Sequence, residues 1–158
     1  MLINRVARQL LGAPELLPAL SELRAGNDAT VAVSQSARAL VLASVWAAGP
    51  RPCLFVVSGE EAAERAAHAL EAWLGKDVVL RYPERRDLPW KSDAPDDAVI
   101  GARTEAIGRL ATGEPCVVVA SARSLLRRVP PVGSGYWASS TFAVGDEVPF
   151  EDVGPLLV

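Results

Sequence analysis

Hydrophobic positions in this chain form short unbroken runs, separated by stretches with a helical period. The first run, Ala29 to Val33 (ATVAV), is rich in β-branched residues and reads as a strand. After it, Ala37, Leu40, Val41, Ser44, Val45 and Ala48 recur at three- and four-residue intervals, the stripe of a helix with one buried face. Gly49-Pro50 stops that helix. Cys53 to Ser58 (CLFVVS) is continuously apolar, as expected of a strand covered on both faces. Ser58 and Glu61 have the spacing of a capping box. The helix they open turns Ala63, Ala66, Ala67, Leu70, Trp73 and Leu74 inward and Glu61, Glu64, Arg65, His68 and Glu71 outward, and Gly75 closes it. Asp77 to Tyr82 (DVVLRY) reads as a third strand, followed by a loop with Pro83, Pro89 and Pro95. A helix from Asp96 to Leu110 carries acidic residues in its first turn, where the helix dipole favours them. Pro115 to Ser121 (PCVVVAS) is a fourth buried strand, and ARSLLRRV reads as a short helix stopped by Pro130-Pro131.

Strands alternating with helices predict an α/β fold, a parallel sheet with helices on both faces. Upstream, MLINRVARQLLGAPELLPAL places Arg5 and Arg8 before leucines, loosely like a signal peptide. Pro14, Glu15 and Pro18 interrupt any continuous apolar core, so the segment reads as two short amphipathic helices. After Pro131 the composition changes: PVGSGY is linker-like, ASSTFAVGDEV reads as a strand near Thr141 to Val144 ending in a turn, and PFEDVGPLLV as the start of a helix. The expected organisation is an α/β domain over residues 1–132, then a linker and the truncated beginning of a second small domain over 133–158.

Composition narrows the chemistry. At 158 residues and 50% hydrophobic, the chain suits one compact domain. A net charge of −3 does not suit an electrostatic nucleic-acid binder. The two cysteines, Cys53 and Cys116, lie in apolar runs without a CxxC partner, and one histidine is too few for a zinc site. Two buried, reduced thiols suit the cytoplasm. No apolar run is long enough to span a bilayer.

The strand–turn–helix around Ser34 has the layout of a phosphate-binding P-loop, G-x-x-x-x-G-K-[ST]. Here the window from Ala32 to Ala39 reads A-V-S-Q-S-A-R-A. Ala32 and Ala37 replace the glycines that let backbone N–H groups close on phosphate. Arg38 replaces the lysine and Ala39 the magnesium-binding hydroxyl, and a planar guanidinium is no substitute for a compact ammonium. The reading is an ordinary strand-to-helix turn, with weak anion binding at the helix N-terminus as the most it retains. Val144 to Val148 (VGDEV) invites comparison with a Walker-B carboxylate pair but reads better as a turn. His68 sits among glutamates on a polar face with no partners to orient it. Arg81, Arg85, Arg86 and Lys91 interleave with Tyr82 and Trp90, as on some nucleic-acid surfaces, but Glu84, Asp87, Asp93, Asp96 and Asp97 dilute the charge. The preferred reading is a solvated loop with Leu88 and Trp90 tucked onto the domain. Arg123, Arg127 and Arg128 form a possible stripe along one short helix, solvated by default.

Taken together, SQSARALVLA, YPERRDLPWKSDAPDDAVIGARTEAIGRL, VVVASARSLLRRVPP and TFAVGDEV resemble the N-terminal region of bacterial transcription-repair coupling factors. Tyr82, Pro83, Leu88, Pro89 and Trp90 fit the family's F-P-x-W-E-x-L-P-Y, and Pro95 and Arg103 resemble its S-P-x-x-x-x-x-x-R with one more residue between them. Ala122, Leu125, Arg128, Pro130 and Pro131 keep the character of V-x-x-L-x-x-R-x-P-P. The departures are Gln35 for a glycine, Arg85 for an aromatic residue and Ala94 for a serine. The resemblance implies a module similar to the first domain of UvrB, a helicase-like ATPase, that has lost its ATPase residues and serves as a non-catalytic scaffold. It implies no cofactor for this stretch, with ATP and magnesium used by motor domains elsewhere in the full-length family. RNA polymerase and DNA are implied as partners of other domains. UvrA is implied as the partner of the small domain that begins after residue 132, through residues expected beyond Val158. Two rivals stand beside this reading: an active nucleotide-binding helicase or phosphotransferase fragment, and an unrelated protein-interaction domain.

Overall fold

The computed structural model of the chain describes residues 2–85 and 96–131, together with 143–145, 147, 149 and 151. Two N-terminal helices, α1 (Leu2–Leu11) and α2 (Leu17–Arg24), precede the sheet, as the interrupted apolar pattern predicted. Pro18 lies in the first turn of α2, where its missing N–H costs nothing, and Leu16 and Leu20 are buried. A 3-10 turn over Gln35–Ala37 leads into α3 (Arg38–Ala48), against which α1 packs. The strands are β1 (Cys53–Val57), β2 (Val79–Tyr82) and β3 (Val117–Ser121), joined by α4 (Glu60–Leu74) and α5 (Asp97–Thr112).

The sheet is parallel and three-stranded, in the order β1-β3-β2. Cys53 stands opposite Val117 and Val57 opposite Ser121; Val79 also stands opposite Val117 and Tyr82 opposite Ala120. Alternate side chains of β3 serve two cores. Val117 and Val119 pack with Val79, Ala39, Ala43, Ala63, Ala67, Leu70 and Leu74 under α3 and α4. Val118 and Ala120 pack with Leu80, Tyr82, Cys116 and Ala106 under α5. Helices therefore cover both faces, as predicted, and β3 is buried along its whole length.

Several local expectations are corrected. Residues 27–34 are irregular, so Ala29 to Val33 is not a strand, and Val31 is exposed. The fully buried α3 residues are Ala39, Ala43 and Ser44, with Leu40, Leu42, Trp46 and Ala47 packed around the core; of the expected stripe Ser44 is buried as predicted, whereas Ala48 is exposed. This helix is apolar nearly all round and is clasped by α1, so periodicity alone does not select its inner face. β1 is not covered on both faces: Leu54 is 46% and Val56 45% exposed, because β1 lies at the edge of the sheet and α5 covers the other two strands. Cys53, expected to be buried, is accordingly half-buried, whereas Cys116 is fully buried.

The Ser58–Glu61 capping box does not form, because α4 starts one residue later with Gly59 as its cap and no side-chain cap bond. Gly75 does close α4, at φ +94°. At α5 the acidic first turn works as expected: Asp96 accepts from the Ala98 amide at 3.0 Å. The short helix after β3 is a 3-10 turn over Arg123–Leu126, so Arg127 and Arg128 lie beyond it and no helical arginine stripe exists. Val144 and Gly145 form a turn, with Val144 fully exposed and Gly145 at φ +105°, so neither belongs to a strand. The rest of the strand expected near Thr141, the apolar end Leu156 to Val158, the boundary at 132/133 and the contacts of Leu88 and Trp90 lie outside the described residues.

Candidate functional site

A cleft of about 860 Å³ opens where β1 and β3 end, the side of a parallel sheet on which ligands commonly bind. Gln35, Ser36, Arg38 and Ala39 contribute one wall, and Ala62, Arg65, Ala66 and Ala69 of α4 the other. Phe55, Val56, Val57, Ser58 and Ala122 line the base. The cleft is apolar below and polar at its rim. Arg38 is exposed there, and the Arg65 guanidinium is paired with Glu61 one turn earlier on α4. Ser34 and Ser36 share a hydrogen bond at 3.2 Å between their hydroxyls.

The sequence-level candidates meet at this cleft, with differing orientations. Gln35 and Arg38 line it, Ala37 ends the 3-10 turn, and Ala32 is exposed upstream. Ala39, at the position of the magnesium-binding hydroxyl, also lines the cleft, where it offers only a methyl group, and at 8% exposure it packs into the core beneath α3. None of the described non-glycine residues has a positive φ, and residues 27–48 contain no glycine, so this turn does not curl into a ring of inward N–H groups. The residues present do not fit Mg·ATP. The lysine and hydroxyl are missing, and the backbone makes an ordinary entry into a helix.

The remaining candidates separate. His68 is exposed, its Nδ1 4.0 Å from Glu71. Tyr82 is buried, and Arg81 bridges to Glu60 at 2.7 Å and Glu64 at 3.4 Å. Those two residues therefore do not form an open basic–aromatic surface; Arg86, Trp90 and Lys91 lie outside the described residues. Arg123 pairs with Glu84 at 2.9 Å, and the Glu84 amide donates to Glu60 at 3.2 Å. The three acidic–basic contacts tie the start of α4, the end of β2 and the turn after β3 into one network.

Arg103 is the residue whose role the sequence concealed. Only 8% exposed, it lies over the Tyr82 ring at 3.8 Å and donates to the Tyr82 hydroxyl at 2.5 Å. It also donates to the Pro83 carbonyl at 2.7 Å and the Ser124 carbonyl at 3.4 Å. The guanidinium thus clamps the start of the proline-containing loop to the turn after β3. The only signal in the sequence was that Tyr82, Pro83 and Arg103 fall in one motif. Burial raises the phenol pKa of Tyr82, opposed by the positive charge of Arg103, so the hydroxyl stays neutral. Burial likewise raises both thiols, opposed by Arg51 at Cys53 and by Arg109 at Cys116. Among the described residues, no group of histidine, cysteine and carboxylate side chains could hold a metal, and no helix is long and apolar enough to cross a membrane.

No family model matches the chain. Curated relatives do. The transcription-repair-coupling factors of Mycobacterium bovis and Mycobacterium tuberculosis are each 37% identical to it over 141 residues, covering 84% of this chain and 11% of theirs. The transcription-repair-coupling factor of Myxococcus xanthus is 32% identical over 148 residues, covering 88% of this chain and 12% of its own. Over most of its length the chain is therefore similar to one segment of the transcription-repair-coupling factors, and it spans 11–12% of the length of those relatives.

Proposed function

We propose that this chain is a non-catalytic scaffold region of a transcription-repair coupling factor. The whole protein would use ATP to release stalled RNA polymerase from DNA and would bring in UvrA for nucleotide excision repair, in the cytoplasm. The observation that carries the non-catalytic reading is the turn from Ala32 to Ala39. It stands at the carboxyl end of the strands, where a helicase-like module would hold nucleotide, yet Ala39 brings only a methyl group to the cleft and Arg38 stands in place of the lysine. In this reading ATP and magnesium belong to motor domains elsewhere in the longer protein. UvrA belongs to the small domain beginning after residue 132. The α/β region provides a rigid platform to which those parts attach.

Titration calorimetry with Mg·ATP tests this reading, with Arg38→Ala run in parallel. Each lost charge-assisted hydrogen bond to phosphate is worth about 1.5–3 kcal/mol, so two or three losses weaken binding by several powers of ten. The expected result is millimolar or undetectable binding in both proteins. Micromolar affinity that disappears with Arg38→Ala would replace the scaffold by a nucleotide-binding module.

A further inference from the structure

Between Glu114 and Asp146 the chain contains no carboxylate, although it carries a net charge of −3 overall. The cations of that stretch, Arg123, Arg127 and Arg128, cluster at the 3-10 turn after β3 and just beyond it. The same segment carries three exposed apolar side chains: Leu125 at 39%, Leu126 at 80% and Val129 at 45%. One exposed leucine on a surface is ordinary, but apolar side chains grouped within a charged rim mark a place where another molecule binds.

The turn is braced from below. Ser124 is buried; its amide donates to the Ser121 hydroxyl at 3.0 Å, and its own hydroxyl donates to the Ser121 carbonyl at 2.8 Å. Arg103 donates to the Ser124 carbonyl at 3.4 Å, and the Ala122 amide to the Val57 carbonyl at 2.7 Å. Arg123 is held by Glu84 at 2.9 Å, which offsets one of the three positive charges. Pro130 and Pro131 restrict the backbone directly after Val129. Leu126 is thus offered to water by a fixed backbone, and a fixed surface loses little conformational entropy when a partner settles on it.

We propose that the segment from Arg123 to Val129 is a docking surface for an acidic segment of a partner protein, one with large apolar side chains set among its carboxylates. Charge complementarity selects the acidic partner: the surface supplies arginines and no carboxylate of its own. Carboxylates of the partner would pair with Arg127 and Arg128, whose planar forks suit two-point contact. An apolar side chain of the partner would cover Leu126 and Val129. That second requirement favours a protein over a nucleic acid, because a phosphate backbone uses the arginines but leaves Leu126 in water. The chain's own acidic stretch, with Asp146, Glu147, Glu151 and Asp152, is the competing occupant.

The test is an NMR titration of the isotope-labelled chain at physiological salt with a short synthetic peptide of repeated Glu-Leu-Phe-Asp. Polyglutamate and single-stranded DNA of equal charge are titrated alongside it. Amide shifts are expected at Leu125, Leu126, Arg128 and Val129, with a Kd below about 1 mM for the peptide and at least about 10-fold weaker binding of polyglutamate. Leu126→Ser should weaken the peptide about 10-fold, the worth of one buried leucine contact, and Arg128→Gln by a similar factor. Both variants should keep the urea midpoint of the parent, because both side chains are exposed. Absence of shifts at millimolar peptide overturns the docking surface. Equal affinity for polyglutamate, or an affinity indifferent to Leu126→Ser, reduces it to a diffuse cationic patch and overturns it as well. Tighter binding of the DNA replaces the protein partner by a nucleic acid. Peptide binding that emerges only in a Glu147→Gln/Glu151→Gln double variant assigns the surface to the chain's own acidic stretch, and overturns the choice of occupant.

Discussion

Arg103 shows most directly how one side chain organises this molecule. A buried guanidinium is tolerated when its donors are used and its face is covered, and Arg103 meets both conditions through Tyr82, Pro83 and Ser124. Removing it strands the Pro83 and Ser124 carbonyls and uncovers the Tyr82 ring. Arg103→Ala is therefore expected to lower stability by about 2–4 kcal/mol, measured as a shift in the urea midpoint. Arg103→Lys should recover little of that loss, since an ammonium cannot stack on Tyr82 while reaching two separated carbonyls. Full recovery by lysine would show that charge alone, without the planar fork, is sufficient. Nothing in composition or periodicity marks this residue. Arg103 lies on a helix whose carboxylates Asp97 and Glu105 are exposed, and only the approach of β2 and the turn after β3 makes it a clamp.

At the scale of elements, α5 shows how a single residue type acts in opposite directions. Gly113 ends the helix at φ +74°, a left-handed conformation that a Cβ disfavours. Gly101 lies within the same helix, exposed, with nothing within 4 Å of where a Cβ would sit. Gly113→Ala should cost about 1 kcal/mol, and Gly101→Ala should stabilise by about 0.5–1 kcal/mol. Thermal melts of the two variants are expected to move in opposite directions; a loss of stability in Gly101→Ala would mean that α5 uses that gap for a contact. The sequence located both ends of α5 within two residues and the acidic residues of its first turn, because helix-end preferences are local chemistry. It misplaced the start of α4 by one residue, which was enough to disconnect Ser58 from its capping box.

At the scale of the whole molecule, the two cores share β3, so ionisation in either core is felt by the whole fold. Cys53, Cys116 and Tyr82 all have pKa values raised by burial. The folded chain therefore holds these protons more tightly than the unfolded chain does. The resulting stability is fully present below the ordinary thiol value of 9.0 and is lost as pH climbs toward the raised folded values, and Tyr82 adds the same trend above 10.0. Urea midpoints are expected to hold steady up to about pH 8 and to fall as pH rises through about 9 and beyond. The fall should be shallower in a Cys53→Ala/Cys116→Ala double variant; an identical slope would show that the thiols titrate alike in both states. The cysteines are neighbours along the β1–β3 ladder, yet Cys53 packs on the α3–α4 side and Cys116 on the α5 side. Their proximity therefore does not bring the two sulfurs together.

The sequence by itself determined what depends on neighbours along the chain. It specified α/β alternation, a parallel sheet with helices on both faces, the closing glycine at Gly75, and a turn at Ala32 to Ala39 without the lysine and hydroxyl of a phosphate loop. Tertiary structure decided what depends on which segments meet. It put Ala39 rather than Ala37 into the core, buried Arg103 on Tyr82, and drew Arg81 into carboxylate bridges. It also left β1 at an edge although its five residues read like those of β3. A run of apolar residues states that a strand prefers burial, but the number of faces and edges actually covered is set by the neighbours that assemble around it.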